Sequence, residues 1–427
     1  MLAVSRNKRS LLLVNQKSSP IKEEGSPGFY YGYIIILASF LIFFIAGGAQ
    51  YSFGVFLKPV LTEFGWTRAA ISGAYSLNNV LMGLLSILAG RLSDRFGPRS
   101  VLTISGLLLG LGYLLMSQVN AIWQIYLFFG VLVGIGMGGI AAPLMSSVAR
   151  WFVKGRGLAS GIVISGAGVG ITIIPPLANL LISNYSWRFS YIIIGIIVVS
   201  LPVVIAQFLR RPPNQMNTLS QDANKLAKDS LNLQSQGFSL QEVIRTRQFW
   251  IISLISLSNA FGVQTIMVHL VAHATDINIS STAAATLLSV IGIVSIGSKV
   301  IMGAIGDKFG YRKIIIMVFI LMSLSFLWLS FSGELWTLYL FAVVLGFNYG
   351  AYSGVHSPLV AKFFGLKEHG AILGLTLFAL NFGGAVGPLA AGQIFDISGS
   401  YSWAFALCAI LGLASLAMAV IMKPLRR

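Results

Sequence analysis

Lys299 is the only charged residue between Asp276 and Asp307, inside a run that reads Leu288-Ser289-Val290-Ile291-Gly292-Ile293-Val294-Ser295-Ile296-Gly297-Ser298 before it and Val300-Ile301-Met302-Gly303 after it. An ammonium in so apolar a stretch is costly, which makes it a functional candidate by default. A lysine is a compact point charge that can hold a carboxylate while protonated, and desolvation makes its proton easier to lose. One side chain could thus serve as an anion site and as a proton site. A second reading stands beside this one. Lys299, Gly303 and Asp307 share a helix face at i, i+4, i+8, and a lysine stem can snorkel toward the end of a helix or pair there with an acid.

Other polar residues in apolar runs could complete an anion site with it. Asn348, Tyr349, Tyr352 and His356 are spaced i, i+1, i+4, i+8, and from this group we take Asn348, Tyr352 and His356 as candidate substrate contacts. Tyr51, Phe378 and Asn381 are taken likewise, with Gln50, Asn78, Asn79 and Asn259 of lower rank. Hydrogen bonding between helices is the competing use for such groups in lipid. His356 is the second candidate for carrying a proton, because imidazole titrates near neutral pH. His269 and His273, near the outer end of an apolar run, and His369, beside a loop, are expected to be solvated or interfacial.

The elements that must position these residues follow from hydropathy. Of 427 residues 56% are hydrophobic and 10% charged, with mean hydropathy +0.83, which indicates a polytopic membrane protein. A hydrocarbon core about 30 Å thick needs about 20 apolar residues per helix. Twelve such segments are read, from 33–57 to 402–421, including 247–272, 282–305, 335–361 and 370–395. An even number of crossings puts both termini on one side. Of the 29 Lys and Arg, 25 fall on the termini and the loops of that side, three (Lys58, Arg68, Arg188) on the other, and Lys299 in between. The positive-inside rule then places the termini in the cytoplasm. The net charge of +17 reads as topology and attraction to anionic lipid, with no nucleic-acid partner. The one cysteine, Cys408, excludes an internal disulfide and a thiolate metal cage.

The chain repeats itself. GRLSDRFGPR starts at Gly90 and GAIGDKFGYRK at Gly303; RWFVKGRGLASG starts at Arg150 and KFFGLKEHGAILG at Lys362. The offsets, 213 and 212, divide the chain into a tail at 1–28, a six-helix half at 29–209, a polar linker at 210–246 and a second half at 247–422. Parallel six-helix repeats are the plan of rocker-type carriers, whose site lies between the halves near the midplane. Lys299 has no counterpart in the first half, since the matching position is Ser86. Glycines crowd three segments (Gly130 to Gly139, Gly161 to Gly170, Gly374 to Gly387), as close helix crossings require.

These residues carry a resemblance. Gly90, Asp94, Arg95, Gly97 and Arg99, and again Gly303, Asp307, Lys308, Gly310 and Arg312 with Lys313, resemble the loop motif of the major facilitator superfamily. The resemblance implies an all-α integral membrane fold of two six-helix bundles and a gating role for these residues. Trp151-Phe152 with Lys154, Arg156, Leu158, Ala159 and Gly161 resembles the fifth-helix signature of monocarboxylate transporters. Gly54-Val55-Phe56-Leu57-Lys58-Pro59 followed by Glu63-Phe64-Gly65-Trp66 resembles the first helix and loop of monocarboxylate and oxalate/formate transporters. Transport of small organic anions is implied, with a proton in the first branch and by exchange in the second. Two positions depart from the family pattern. An aspartate and an arginine four residues apart in the eighth helix are here Ser295 and Lys299, and a first-helix lysine is here Tyr51.

A secondary transporter of monocarboxylates, proton-coupled and working by alternating access, is therefore the expected function, with oxalate/formate-type exchange as the alternative. A transporter-shaped sensor is the reading from another class; it would need a signalling appendage, which neither tail nor linker offers. An enzyme is not expected, because no Asp or Glu lies within the spans as read and no metal-ligand cluster appears. GVGITIIPP is not a phosphate loop, lacking the Lys-Ser or Lys-Thr that must follow. No cofactor is expected. The partners are a small carboxylate, protons and the bilayer of a bacterial inner or plasma membrane, around a functional monomer.

Overall fold

The computed structural model describes residues 31–152, 156–210, 237–365 and 367–422, apart from the side chains of Asp94, Arg156 and Asp307. Among them are twelve helices long and apolar enough to cross a membrane. They are α1 (Gly32–Phe64), α2 (Arg68–Phe96), α3 (Pro98–Met116), α4 (Ile122–Trp151), α5 (Arg156–Asn184) and α6 (Trp187–Ala206) in the first half. The second half holds α7 (Arg247–Asp276), α8 (Ser281–Phe309), α9 (Tyr311–Leu329), α10 (Leu335–Phe364), α11 (His369–Ser398) and α12 (Ser402–Ile421). Twelve crossings leave residues 32 and 421 at one end of the bundle, called here the termini end; the other is the far end.

Local chemistry sets the helix limits. Thr67, Ser186, Thr246 and Ser280 start α2, α6, α7 and α8, each accepting the N–H of the residue three positions on, which satisfies a donor that has no partner within the helix. At the termini end, Gly97 and Gly310 separate α2 from α3 and α8 from α9 at φ +90° and +87°. Side chains rarely tolerate such angles, so both copies of the repeated motif keep glycine there. α1 is interrupted at Ser52, whose hydroxyl donates to Gly48 O at 2.7 Å, and Tyr51 sits at that break.

At the far end three helices outrun the spans expected from hydropathy by three residues or more. α1 continues from 57 to Phe64, α7 from 272 to Asp276 and α11 from 395 to Ser398. Asp276 and Asp396 thus lie in last helical turns, where the helix dipole disfavours an acid. Both acids meet compensating donors from the first half, described below.

Each half packs as a bundle, α1 on α5 and α3 on α6 in the first, α7 on α11 and α8 on α10 in the second; α2 on α11 and α5 on α8 join the halves. Of the expected linker, 211–236 lies outside the described residues, as do the expected tail at 1–28 and residues 423–427. Its last part is fastened to the second half. Gly237 bridges to Gly365, and the N–H of Leu240, opening a one-turn helix to Ile244, donates to Glu368 at 2.8 Å.

Candidate functional site between the two halves

α10 approaches α8 closely through Gly346, Gly350 and Gly354; a Cβ at Gly354 would lie 2.6 Å from Lys299 O. This approach brings the Tyr349 ring beside the lysine, with Nζ 4.9 Å from the ring centre, within cation–π range. α8 and α10 run in parallel, and Tyr349 is five residues, about 7 Å of helix, nearer the far end than Gly354. The Lys299 side chain therefore extends toward the middle of the bundle, away from the Asp307 end. Lys299 is half-buried, and among the described residues no carboxylate forms an ion pair with it. Across the join, the Tyr51 and Tyr349 hydroxyls are 3.2 Å apart. One cation and two phenols from both halves thus meet at mid-depth.

Not all residues expected at this site are there. Asn348, Tyr352 and His356 are buried inside the second half. Asn348 accepts from Asn259 at 3.2 Å and donates to Val318 O at 2.7 Å. The Tyr352 hydroxyl donates to Ser256 Oγ at 2.7 Å, and His356 Nε2 is 3.2 Å from the same oxygen. These bonds tie α10 to α7 and α9. The expectation that the three line the cavity is corrected: on α10 it is Tyr349 whose hydroxyl reaches across the join, and they occupy the adjoining stripe. Gln50, Asn78 and Asn79 likewise bond within the first half, Gln50 to Asn78 and Asn78 to Phe129 O. Asn381 and Phe378 of α11 are half-buried, with Asn381 facing Gly83 of α2 across the join. Tyr349 is the member of the polar group on α10 left out of the candidate substrate contacts. Its offset of one residue from Asn348 puts it on another face of the helix, which is the sequence signal that marks it.

The far end is closed by a polar network that sequence reasoning missed. Arg68, at the start of α2, donates from Nη2 to Asp276 at 2.6 Å and from Nη1 to the Tyr401 hydroxyl at 2.5 Å. Its guanidinium lies 3.6 Å from the centre of the Phe395 ring. Lys58 reaches Asp276 at 3.1 Å. Asp396 receives the backbone N–H groups of Arg68 and Ala69 at 3.0 and 2.8 Å, so an acid of one half caps a helix of the other. His269 is 0% exposed, 2.8 Å from the Tyr401 hydroxyl, 2.8 Å from Pro388 O and 3.3 Å from Ser72 Oγ. The solvated or interfacial placement expected for His269 is thereby overturned. An α7 four residues longer at its end puts the imidazole about two turns below the helix terminus, where α2 and α11 cover it.

Toward the termini end, contact between the halves at mid-depth gives way to open space beside α5 and α11. At Gly168 of α5 and Gly292 of α8 the helices touch, a Cβ on Gly292 falling 2.6 Å from Thr172 Oγ1 and one on Gly168 falling 2.6 Å from Ile296. Ser289 Oγ donates to Thr172 O at 2.7 Å beside them. Seven residues nearer the termini end, on the same face of α5, a Cβ at Gly161 would meet nothing within 4 Å, and the same holds for Gly374 on α11.

At that end the described bonds of Arg99 and Arg312 stay within their own halves. Gly90 faces Ala142 of α4, and Gly303 faces Gly354 of α10. Arg95 lies against the Phe96 ring, and Arg99 Nε donates to Gln207 at 2.5 Å. Arg312 donates to Ala419 O at 3.1 Å and to Val420 O. Lys308 is exposed. The carboxylates of Asp94 and Asp307 lie outside the described side chains.

Comparison with known proteins agrees with this architecture. The family model of the Major Facilitator Superfamily matches residues 39–272 and 252–427. Monocarboxylate transporter 12 of Mus musculus is 25% identical over 405 residues, covering 88% of this chain and 82% of that protein. The oxalate:formate antiporter of Oxalobacter formigenes is 25% identical over 401 residues, covering 92% and 91%. The crystal structure of a D-xylose-proton symporter superposes with a TM-score of 0.72 at 16% identity, covering 92% of this chain and 100% of that one. The chain belongs to the major facilitator superfamily, as a multi-pass membrane transporter of small solutes and not an enzyme.

Proposed function

We propose that the protein carries small organic anions, monocarboxylates in particular, by alternating access, with the Lys299 ammonium as their counterion and a proton moving with them. The observation that carries this reading is a half-buried cation without an ion-pair partner among the described residues, set against Tyr349 and, through it, Tyr51 of the opposite half. A lone cation repels cationic solutes and is wasted on neutral ones. A single cation also fits one carboxylate better than two. The phenol hydroxyls can donate to a carboxylate oxygen while Lys299 neutralises it, and the aromatic faces suit a short apolar tail. The Lys and Arg asymmetry supports a cytoplasmic termini end; the closed far end then faces outward, and the site opens to the cytoplasm. The tyrosine in place of a first-helix lysine and the serine in place of the eighth-helix aspartate leave Lys299 as the proton carrier in this proposal, since His356 is engaged with Ser256.

Uptake of labelled carboxylates into proteoliposomes, with and without an inward proton gradient, tests it. The parent should accumulate a monocarboxylate, and Lys299→Gln should lose uptake by about 30-fold or more, as when a buried charge loses its partner. Equal uptake by both proteins would sink the proposal. Lys299→Arg, which keeps its charge at all accessible pH, should retain binding but lose the pH response; an unchanged profile removes Lys299 from proton coupling. Stimulation by carboxylate preloaded inside, without any gradient effect, would favour the exchange mode of the oxalate:formate relative.

A further inference from the structure

We propose that His269 is a proton-binding site built into the far-end gate, and that the gate closes only around the neutral ring. The hydrogen bonds fix the tautomer. Pro388 O can only accept, so the Nε2 that lies 2.8 Å from it carries a hydrogen. In the neutral ring Nδ1 is then an acceptor, and the Tyr401 hydroxyl 2.8 Å away donates to it. The same phenol oxygen accepts from Arg68 Nη1. The result is a directed chain from Arg68 through Tyr401 and His269 to Pro388, which joins α2 to the second half.

A second proton on the ring breaks this chain. Nδ1 would become a donor facing a hydroxyl that already receives Arg68, and the phenol hydrogen would lose its acceptor inside a sealed site. The other charged and titratable groups around the ring offer no relief. On α2, Arg68 is itself a cation; on α7, Asp276 is engaged by Arg68 and Lys58, and His273 packs edgewise on Tyr401 and Phe405. On α11, Asp396 is taken up by the N–H groups of Arg68 and Ala69. Closure and proton uptake therefore exclude each other. Separation of α2 from α7 and α11 exposes the ring to the vestibule side, where it can titrate as an ordinary imidazole. By linkage, the advantage of the closed state is complete above the titration range of the exposed ring and is lost as pH falls through it. Acid at the far face thus favours the far-open state, whatever the substrate.

The test needs no substrate, so its outcome is separate from that of the transport proposal. Thr62 on α1 and Ser281 on α8 are exposed on opposite walls of a far-end vestibule of about 420 Å3. Spin labels on Thr62→Cys and Ser281→Cys, in a Cys408→Ala background that removes the only cysteine, report the gate as two populations of interspin distance. Between about pH 7.5 and about pH 5.5 the ratio of open to closed should rise up to about tenfold, as for a group titrating near 6.5 only when open. His269→Gln should flatten this response, while His273→Gln should keep it. If His269→Gln does not reconstitute as a folded protein, Tyr401→Phe, which removes the hydroxyl that the second proton opposes, should weaken the response. A parent ratio constant across this range overturns the proposal. So does a full response in His269→Gln or in Tyr401→Phe, or a response lost only in His273→Gln.

Discussion

The two ends of the bundle are held by the same kinds of residue used in opposite ways. At the far end Arg68 spends its hydrogen bonds on Asp276 and Tyr401 of the other half, and Asp396 returns the gesture by capping α2. At the termini end Arg99 bonds Gln207 and Arg312 bonds the backbone of α12, each within its own half. Bonds of the first kind must break when the far end opens; bonds of the second kind survive a rigid rocking of the halves. Of these bonds, those at the far end act as a switchable fastening and those at the termini end as internal bracing. The bracing is duplicated in sequence, because each half needs its own, whereas the fastening occurs once, because the halves share it.

Three substitutions probe that contrast, in falling order of effect. Arg68→Gln should unlatch the far end, leaving Asp276 with Lys58 alone and Tyr401 without its donor. Removal of one member of a hydrogen-bonded charge pair of this kind costs about 2–5 kcal/mol, which corresponds to an open fraction raised about 30-fold or more in the Thr62 and Ser281 label distances at neutral pH. Little change would mean that packing, not charge, closes this end. Gly392→Ala should wedge the same gate more gently. Its Cβ would lie 2.8 Å from Ala69 N and 2.9 Å from Arg68 C, and overpacking of about 1–3 kcal/mol should shift the same label populations toward open. Arg99→Gln should do least. An exposed pair contributes about 1 kcal/mol or less, so the melting temperature in detergent should drop by a few degrees at most and the far-end distances should stay put; a shift there would show that the motif is coupled to the opposite gate.

What could be read from the residues follows the same division. Hydropathy located the twelve helices, and the doubled motif was visible because Gly97 and Gly310 answer an identical backbone demand at φ near +90°. Lys299 stood out because a charge in lipid has few innocent uses. Arg68 counted only as a loop charge, since its partners lie 208 and 333 residues away in the half that carries no copy of it. His269 was misplaced because hydropathy falls before the helix ends, so its burial depended on helices that only the fold brings over it. Asn348, Tyr352 and His356 share one face of α10, and Tyr349 of the same polar group lies on the next. Periodicity gave no direction for that face, and the neighbouring face with Tyr349 is polar as well.

The touching glycines Gly168 and Gly292, flanked by the bond from Ser289 to Thr172, give α8 a fulcrum. Lys299 is seven residues from it, an arm of about 10 Å at the rise of an α-helix. Tilting one half against the other by about 20° about that point swings the ammonium by roughly 3–4 Å relative to the first half. Tyr349 rides on the same half and travels with the lysine, while Tyr51 stays behind. The leverage is enough to part the two phenols and too short to carry the charge out of the middle of the membrane, so the ammonium keeps its depth while the first half shifts past it.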